Sequence, residues 1–307
     1  MKYFNINKPY FRGLLALVCL FSTSCSCGIV NHKYVVGNLA VSPDGRWVVF
    51  CTENEGRYDL NLLDLGTGKT NSVIKSDDEV GYPVFISQHQ LLISTKVSGK
   101  PQLFELDLNT GLKKRVLESN FSDTSPSISV DGNHIVFVRA TNGFIRSYGQ
   151  QAWDHADLYI ADSTFGSIKK LTNLGARVIL SVNVSTGNSK IVYAYEIGDG
   201  LPEVHVMDTG SGKTTQLTHG PHYNTDPSWS PDGQRIAFSS DRIKSYEYEI
   251  WTMKEDGSEQ REVTHTGKRS TWPKFLPDGK SLVFSVDETQ IWQVNLDGTG
   301  LHLLWHH

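Results

Sequence analysis

A short apolar segment that recurs six times constrains the fold of this chain more than any other feature of its sequence. In four copies an Asp-Gly turn comes directly before the apolar residues, and successive copies lie about 45 residues apart, as in propeller blades of four strands. The six segments are residues 47–50, 91–94, 135–138, 191–194, 236–239 and 282–285. Such a repeat predicts sheets stacked side by side, because a lone sheet that is apolar on both faces leaves both of them wet.

Each repeat also supplies a third strand, a turn that usually contains glycine, and a fourth strand. The fourth strand is the most polar one, as in residues 113–117 and 260–264, and its charged side chains protect an outer edge against pairing with other chains. We therefore predict an all-β fold, a single six-bladed β-propeller of four-stranded antiparallel blades over residues 38–305. Because every blade owns four strands, the first and last blades should pack face to face, with residues 34–36 as a candidate clasp.

Residues 1–24 have the layout of a secretory signal. A positively charged region at residues 2–12 precedes an apolar stretch that is too short to span a bilayer, and small residues then lead to Cys25. The segment resembles a bacterial lipoprotein signal in which Cys25 is lipidated, and ordinary signal cleavage is the alternative. We expect residues 25–37 to form the anchor and linker. The exported protein would then sit on the periplasmic face of a bacterial membrane, with the outer membrane favoured, or on the cell surface.

The propeller repeats resemble those of one known family. Residues 226–233 read Asp-Pro-Ser-Trp-Ser-Pro-Asp-Gly, and residues 42–46 and 276–280 carry the same Pro-Asp-Gly signature. These stretches resemble the WD-like repeat of TolB-type propellers, over residues 35–305 and most clearly in blades five and six. The resemblance implies six blades but no particular activity, because scaffolds, lyases and peptidases share this propeller. TolB itself also has an N-terminal α/β domain, for which we expect no room before blade one.

Charge and motif content disfavour several classes of function. The formal charge is −4 without a long basic run, so nucleic acid is not an expected partner. The chain lacks the G-x-S-x-G motif of serine hydrolases, and we expect no cofactor. The repeated turn residues Asp44, Asp232 and Asp278 are interpreted as structural. We expect a monomeric binding scaffold and not an enzyme, with a protein or peptide partner in the envelope and a lipid anchor in the membrane.

The hairpins between second and third strands and the connections between blades open on one face of a propeller, where ligands usually meet this fold. Arg and aromatic residues, which anchor interfaces, gather there, many of them in an insertion at residues 139–157. The predicted partner-binding residues are Arg57, Tyr58, Arg146, Tyr148, Trp153, His155, His222, Tyr223, Asp226, Arg242, Tyr246, Arg269 and Trp272. Asp226, Asp241 and Arg242 are expected to pair with one another, with direct ligand contact as the alternative.

The alternative function is that of a carbohydrate-active propeller, such as a metal-dependent oligosaccharide lyase. Propeller lyases of pectin fragments hold a divalent metal through rim histidines, and the weak candidates here are His219, His222 and His265. Their spacing is unlike that of a zinc site such as H-E-x-x-H, so we expect solvated loop histidines and no metal. A third possibility is a purely structural envelope module without a small ligand.

Overall fold

A computed structural model describes residues 34–147, 150–176, 179–196 and 200–306. This part of the chain forms 24 strands in six four-stranded antiparallel sheets, which confirms the predicted fold class. The first three blades contain β1 (Tyr34–Val41), β2 (Trp47–Asn54), β3 (Arg57–Asp64), β4 (Thr70–Ser76), β5 (Val80–Ser87), β6 (Gln90–Val97), β7 (Lys100–Asp107), β8 (Lys113–Arg115), β9 (Ser122–Ile128), β10 (His134–Ser147), β11 (Gln150–Asp162) and β12 (Ile168–Lys170). The last three contain β13 (Ile179–Val184), β14 (Lys190–Glu196), β15 (Pro202–Asp208), β16 (Thr214–Gln216), β17 (Asn224–Trp229), β18 (Arg235–Lys244), β19 (Glu247–Lys254), β20 (Arg261–Glu262), β21 (Ser270–Phe275), β22 (Ser281–Val286), β23 (Gln290–Asn295) and β24 (His302–His306).

The six sheets form a closed ring around a central channel. The first strand of each blade contacts the first strands of both neighbouring blades, in the cyclic order β1, β5, β9, β13, β17, β21 and back to β1. Every blade consists of four strands that are consecutive in the chain. The candidate clasp is wrong, because Tyr34–Val36 pairs with residues 51–53 of β2 inside blade one. Blades one and six therefore meet by packing face to face.

Apolar side chains fill the seams between neighbouring blades. Each of the six seams has its own cluster of buried residues, and the recurring second strands supply the central members, such as Phe50, Phe137 and Phe238, which are all fully buried. At the seam between blades six and one, the rings of Phe50 and Trp305 lie 4.7 Å apart. Burial of a Phe side chain contributes roughly 2 kcal/mol, and the repeat distributes this contribution around the whole ring.

The Asp-Gly turns between the first two strands of a blade are held by their own side chains. Ser42 donates its hydroxyl hydrogen to Asp44 Oδ1 at 2.7 Å, and the same oxygen accepts the backbone N–H of Arg46. These bonds lower the pKa of the Asp44 carboxyl to about 2. Gly45 follows with a φ of 73°, a backbone conformation that suits glycine. Equivalent bonds at Asp232 support the structural interpretation of these aspartates.

All six first strands contain a β-bulge near their middle, where the pairing with the second strand shifts. In five of them the bulge places a residue other than glycine at a φ between 48° and 55°. We call these five residues the bulge ring: Tyr82, Ser125, Ser181, Asp226 and Trp272. Non-glycine residues seldom adopt this left-handed conformation, and such positions cluster at functional sites.

Candidate functional site at the loop face

The two ends of the channel open on faces of different character. Successive strands are antiparallel, so the hairpins between second and third strands share one face with the connections between blades. We call this the loop face, and the face that carries the Asp-Gly turns the turn face. On the turn face one motif recurs from blade to blade, whereas the loop face differs between blades in the length and chemistry of its segments.

Aromatic residues and an arginine of blades five and six gather on the loop face. The rings of Tyr223 and Tyr248 lie 6.2 Å apart, and the Arg269 guanidinium stands 5.6 Å from the centre of the Tyr248 ring. Arg269 also forms an ion pair with Glu288. Burial raises the pKa of the Tyr248 phenol, so this tyrosine is neutral and serves as a rigid aromatic wall. Tyr246 is 37% exposed at the tip of the neighbouring hairpin.

Asp241 holds the two loops of blade five together. Its carboxylate accepts the backbone N–H of Tyr223 at 2.8 Å and that of Tyr246 at 3.2 Å, so one side chain fixes both the blade connection and the hairpin. Ile243, in the same hairpin, is 68% exposed. We call Tyr223, Ile243, Tyr246, Tyr248 and Arg269 the loop-face cluster. It combines exposed apolar area with aromatic and cationic groups on a fixed backbone, which is the chemistry of interface anchors.

Below the loop-face cluster, the bulge ring carries one carboxyl group, that of Asp226. Asp226 is only 7% exposed and accepts hydrogen bonds from the hydroxyl groups of Thr225 at 3.0 Å and Ser181 at 3.3 Å. Burial raises the pKa of the Asp226 carboxyl, against the attraction of Arg269 and Lys274. Burial also raises the pKa of the Tyr82 phenol, and the negative charge of Asp226 adds to this effect. Tyr82 and Asp226 belong to opposite blades, so this electrostatic effect reaches across the channel.

The expectation that Asp226, Asp241 and Arg242 pair with one another is wrong. Arg242 donates to Gln260 Oε1 at 2.6 Å and to Asn224 Oδ1 at 2.9 Å, and its guanidinium lies 4.4 Å from the Trp251 ring centre. These contacts fix Arg242 inside blade five, so it is a packing residue and not a rim residue. Asp241 binds backbone amides instead of a guanidinium.

Those of the remaining predicted rim residues that the structure describes do not form one site. Tyr58 is 6% exposed and belongs to the core between blades one and two, and Trp272 packs at the seam between blades six and one. Arg57 lies on the surface of blade one, with Nε 3.4 Å from Asp77 Oδ1. His155 is exposed in blade three. Tyr148 and the side chains of Arg146 and Trp153 lie outside the described part of the chain, as does Cys25.

The insertion of blade three is a β-hairpin and not an irregular loop. β10 and β11 stay paired from His134 opposite Asp162 out to Ser147 opposite Gln150, with one irregularity on the way. In the other five blades the second strand is at most 10 residues long, whereas β10 has 14. The hairpin therefore projects beyond the other loops of this face.

The three candidate metal-binding histidines have other surroundings. His265 Nδ1 lies 3.3 Å from Glu262 Oε1, with its side chain 77% exposed. His219 is exposed and His222 is half-buried, both in the connection before blade five. Within the described ranges no three His, Cys, Asp or Glu side chains lie close enough together to hold a metal ion. Nor does any helix of those ranges have the length and apolar character that crossing a membrane requires.

Sequence reasoning missed a repeated polar contact between the third and fourth strands. Thr218 accepts the backbone N–H of Val204 at 2.8 Å and donates its hydroxyl hydrogen to Glu203 Oε2 at 2.5 Å. Asn224 donates to the same carboxylate oxygen. The same arrangement recurs in blade three through Thr172 and in blade five through Thr264. The signal in the sequence is an apolar residue followed by Thr at the end of each of these repeats.

Known proteins resemble the chain in sequence and in fold. The model of the TolB beta propeller domain family matches residues 147–306, more than half of the chain. A protein TolB homolog of Chlorobium chlorochromatii is 30% identical over 112 residues, which are 36% of this chain and 25% of the relative. The chain thus matches about a quarter of that relative's length.

Two solved structures show the same fold. The putative TolB from Agrobacterium tumefaciens superposes with a TM-score of 0.66 at 23% identity, covering 80% of this chain and 88% of that chain. An oligogalacturonate lyase in complex with manganese gives a TM-score of 0.61 at 14% identity, covering 90% of this chain and 78% of that chain. At these identities the likeness concerns the fold alone. The family model matches more than half of this chain, and the chain forms six four-stranded blades. The chain therefore belongs to the TolB beta propeller domain family.

Proposed function

We propose that this protein is a binding scaffold of the bacterial envelope that holds a protein or peptide partner on its loop face. The observation that carries the proposal is the loop-face cluster, in which exposed Ile243 and Tyr246 stand beside the half-buried Tyr223 and the Arg269 guanidinium. Tyr and Arg dominate the energetics of protein interfaces, and a prearranged backbone lowers the entropy lost on binding. The Asp241 contacts supply that prearrangement.

The proposed contact uses the periphery of the channel first. Tyr246 and Ile243 are exposed on the outer hairpin, whereas Tyr248 and Asp226 lie deeper. A partner segment would meet the exposed apolar groups, reach the Arg269 guanidinium, and end above the bulge ring. This order places hydrophobic contact at the entrance and charge recognition below it, and binding requires no movement of the blades.

Lipidation at Cys25 is the proposed means of attachment to the membrane. The layout of residues 1–24 supports export, and the small residues before Cys25 support lipid transfer to that thiol. Removal of residues 1–24 would take away three cations, so the mature protein would carry a charge more negative than −4. Such a protein gains no attraction from anionic headgroups, so a lipid chain would supply the attachment.

Crosslinking in the native cell tests the partner-binding part of this proposal. We expect the double variant Ile243→Ala/Tyr246→Ala to recover roughly tenfold less partner than the wild type, since it removes two exposed contact residues without opening the core. The matched control is Leu112→Ala/Val130→Ala, which removes exposed apolar residues of the turn face, 72% and 68% exposed in the wild type. Equal recovery with both double variants would show that the loop-face cluster is not the site.

Cell fractionation tests the proposed lipid anchor. Cys25→Ser should move the protein from the membrane fraction to the soluble fraction. Retention of this variant in the membrane fraction would exclude the lipid anchor.

A further inference from the structure

The Asp-Gly turns of blades one, three and five are each built around a carboxylate that has the same two donors. In blade three, Asp131 Oδ1 accepts the hydroxyl hydrogen of Ser129 at 2.6 Å and the backbone N–H of Asn133 at 3.0 Å. Asp44 and Asp232 accept the equivalent pair of bonds in blades one and five. These bonds lower the pKa of all three carboxyl groups, so the turn provides a position that favours an anionic oxygen.

Blade four has the same turn without the carboxylate. Ser185 accepts the backbone N–H of Lys190 through its hydroxyl at 3.1 Å and that of Asn188 through its carbonyl at 2.9 Å, as the serines of the other turns do. Gly187 stands where those turns have aspartate. Among the described residues, neither the hydroxyl hydrogen of the buried Ser185 nor the backbone N–H of Ser189 has an acceptor. Two donors arranged for a carboxylate therefore lack one.

A cavity on the turn face, between blades four and five, adjoins these two donors. Its volume is about 430 Å³, which is within the range of small-molecule sites. Ser185, Gly187 and Ser189 line one side of it, and Arg235 of blade five lies in the opposite part of its lining. A Cβ atom added at Gly187 would meet only Ser189 Oγ, at 3.6 Å. The space that an aspartate side chain fills in the other turns is therefore open here.

The acidic side chains that line this cavity already have partners. The two aspartates of its lining accept hydrogen bonds within their own turns. Glu255 forms an ion pair with Lys190 across the seam, with 2.6 Å between Oε2 and Nζ. Arg235 has only a long ion pair in the described chain, 3.8 Å from Glu259 Oε2. Its guanidinium is therefore available to a ligand, and two parallel N–H groups suit the two oxygens of a carboxylate.

We propose that this cavity binds a carboxylate ligand, whose anionic group takes the position of the missing aspartate and accepts the Ser185 hydroxyl hydrogen and the Ser189 N–H. The turns of blades one, three and five show that such a pair of donors holds a carboxylate. A free organic acid and an acidic side chain of a polypeptide both supply this group. The site lies on the turn face, so it does not depend on the proposed function of the loop-face cluster.

Nuclear magnetic resonance of the purified full chain with sodium acetate as the probe tests the site. In the wild type, acetate should move the Ser189 amide proton downfield with a dissociation constant of the order of 10 mM, whereas acetamide and sodium chloride of equal ionic strength should not. Gly187→Asp supplies the carboxylate from the chain itself, and the backbone of Gly187 does not have the positive φ that would strain an aspartate. In this variant the Ser189 proton should already lie downfield, and acetate should bind about tenfold more weakly.

Asp232→Gly is the matched converse, because it empties the equivalent turn of blade five. The Gln234 amide, which donates to Asp232 in the wild type, should then respond to acetate as the Ser189 amide does. A Ser189 amide that does not respond to acetate up to about 100 mM would overturn the proposal, as would an equal response in Gly187→Asp.

A capped peptide distinguishes the two sources of the carboxylate. Tighter binding of capped Gly-Gly-Asp-Gly-Gly than of acetate would assign the site to an acidic side chain of a polypeptide, and binding no tighter would assign it to a free acid. The partner-recovery experiment is independent of these results, because it alters residues of the opposite face.

Discussion

At the scale of single residues, Lys274 occupies a position that three other blades fill with a small hydrogen-bonding side chain. The equivalent Ser127, Asn183 and Ser228 each bind the backbone of the next first strand, at 2.8 to 3.1 Å. Blade six has a lysine there, and burial lowers the pKa of its ammonium to about 8 against the attraction of Asp226. A charged group thus lies where its neighbours in the ring have neutral connectors, which costs stability.

Replacing this lysine should stabilise the fold at neutral pH. The folded protein releases the Lys274 proton near pH 8, whereas the unfolded chain keeps it up to about pH 10.5. The buried ammonium therefore lowers the free energy of unfolding by its full amount below pH 8, and by less as the pH rises between these values. We expect Lys274→Met to raise the free energy of unfolding by roughly 2 kcal/mol at pH 7, with a smaller gain at pH 10. Urea titrations at both pH values measure the free energy of unfolding. Lys114→Met, at an exposed position, is the control, and a gain that does not change with pH would contradict the assignment.

At the scale of secondary-structure elements, the third and fourth strands depend on single threonines where the fourth strand is very short. β16 and β20 have only three and two residues, and the chain beyond each pairing segment is held by Thr218 or Thr264. Each hydroxyl accepts a buried N–H of the third strand and donates to a buried carboxylate. Burial raises the pKa of Glu203, one of these carboxyls, while the hydrogen bonds from Thr218 and Asn224 oppose that rise.

Thr218→Val tests this contact with almost no change of shape. It leaves the N–H of Val204 and one oxygen of Glu203 without their hydroxyl partner, so we expect a loss of about 2 kcal/mol in the free energy of unfolding. Thr215→Val, at an exposed position of β16, should change it by less than about 0.5 kcal/mol. Chemical denaturation followed by circular dichroism compares the two variants. Equal stabilities would show that the hydroxyl contributes nothing.

The sequence predicts the elements better than the contacts of their side chains. The second strands could be located because burial on both faces requires apolar runs, which recur with the blade. The bulge ring could not, because left-handed backbone is normally recognised through glycine and these positions carry Tyr, Ser, Asp and Trp. Arg242 was assigned to the rim because an arginine stacked inside a blade has the same sequence context as an exposed one. Tyr223, Tyr246 and Arg269 were located because they follow directly from the position of their loops.

At the scale of the whole molecule, the ring has no terminal repeat. A linear array of blades would expose the outer faces of its first and last members, whereas here blade six packs on blade one. The seam between them contains Leu39, Phe50 and Val283, all fully buried, and is built like the other five seams. Closure therefore makes the stability of each blade dependent on two neighbours.

A matched pair of core variants measures the strength of the closing seam. Phe50 lies at the seam of blades six and one and Phe238 at that of blades four and five, and both are 0% exposed. We expect Phe50→Ala and Phe238→Ala each to lower the free energy of unfolding by about 3–5 kcal/mol. Each variant should unfold in one transition, which fluorescence and circular dichroism report at the same denaturant concentration. If Phe50→Ala instead separates the two signals, the closing seam opens first and the ring does not unfold as one unit.

The long hairpin of blade three gives the molecule a direction. A six-fold ring whose turns repeat the same motif offers an approaching protein several similar orientations, related by rotation about the channel axis. β10 and β11 project from one blade alone and so mark a single angle on that circle. Blade five, which carries most of the loop-face cluster, lies two positions further round. A partner that touches both features can dock in only one rotational setting, so the irregular blade fixes the orientation of a nearly symmetric body.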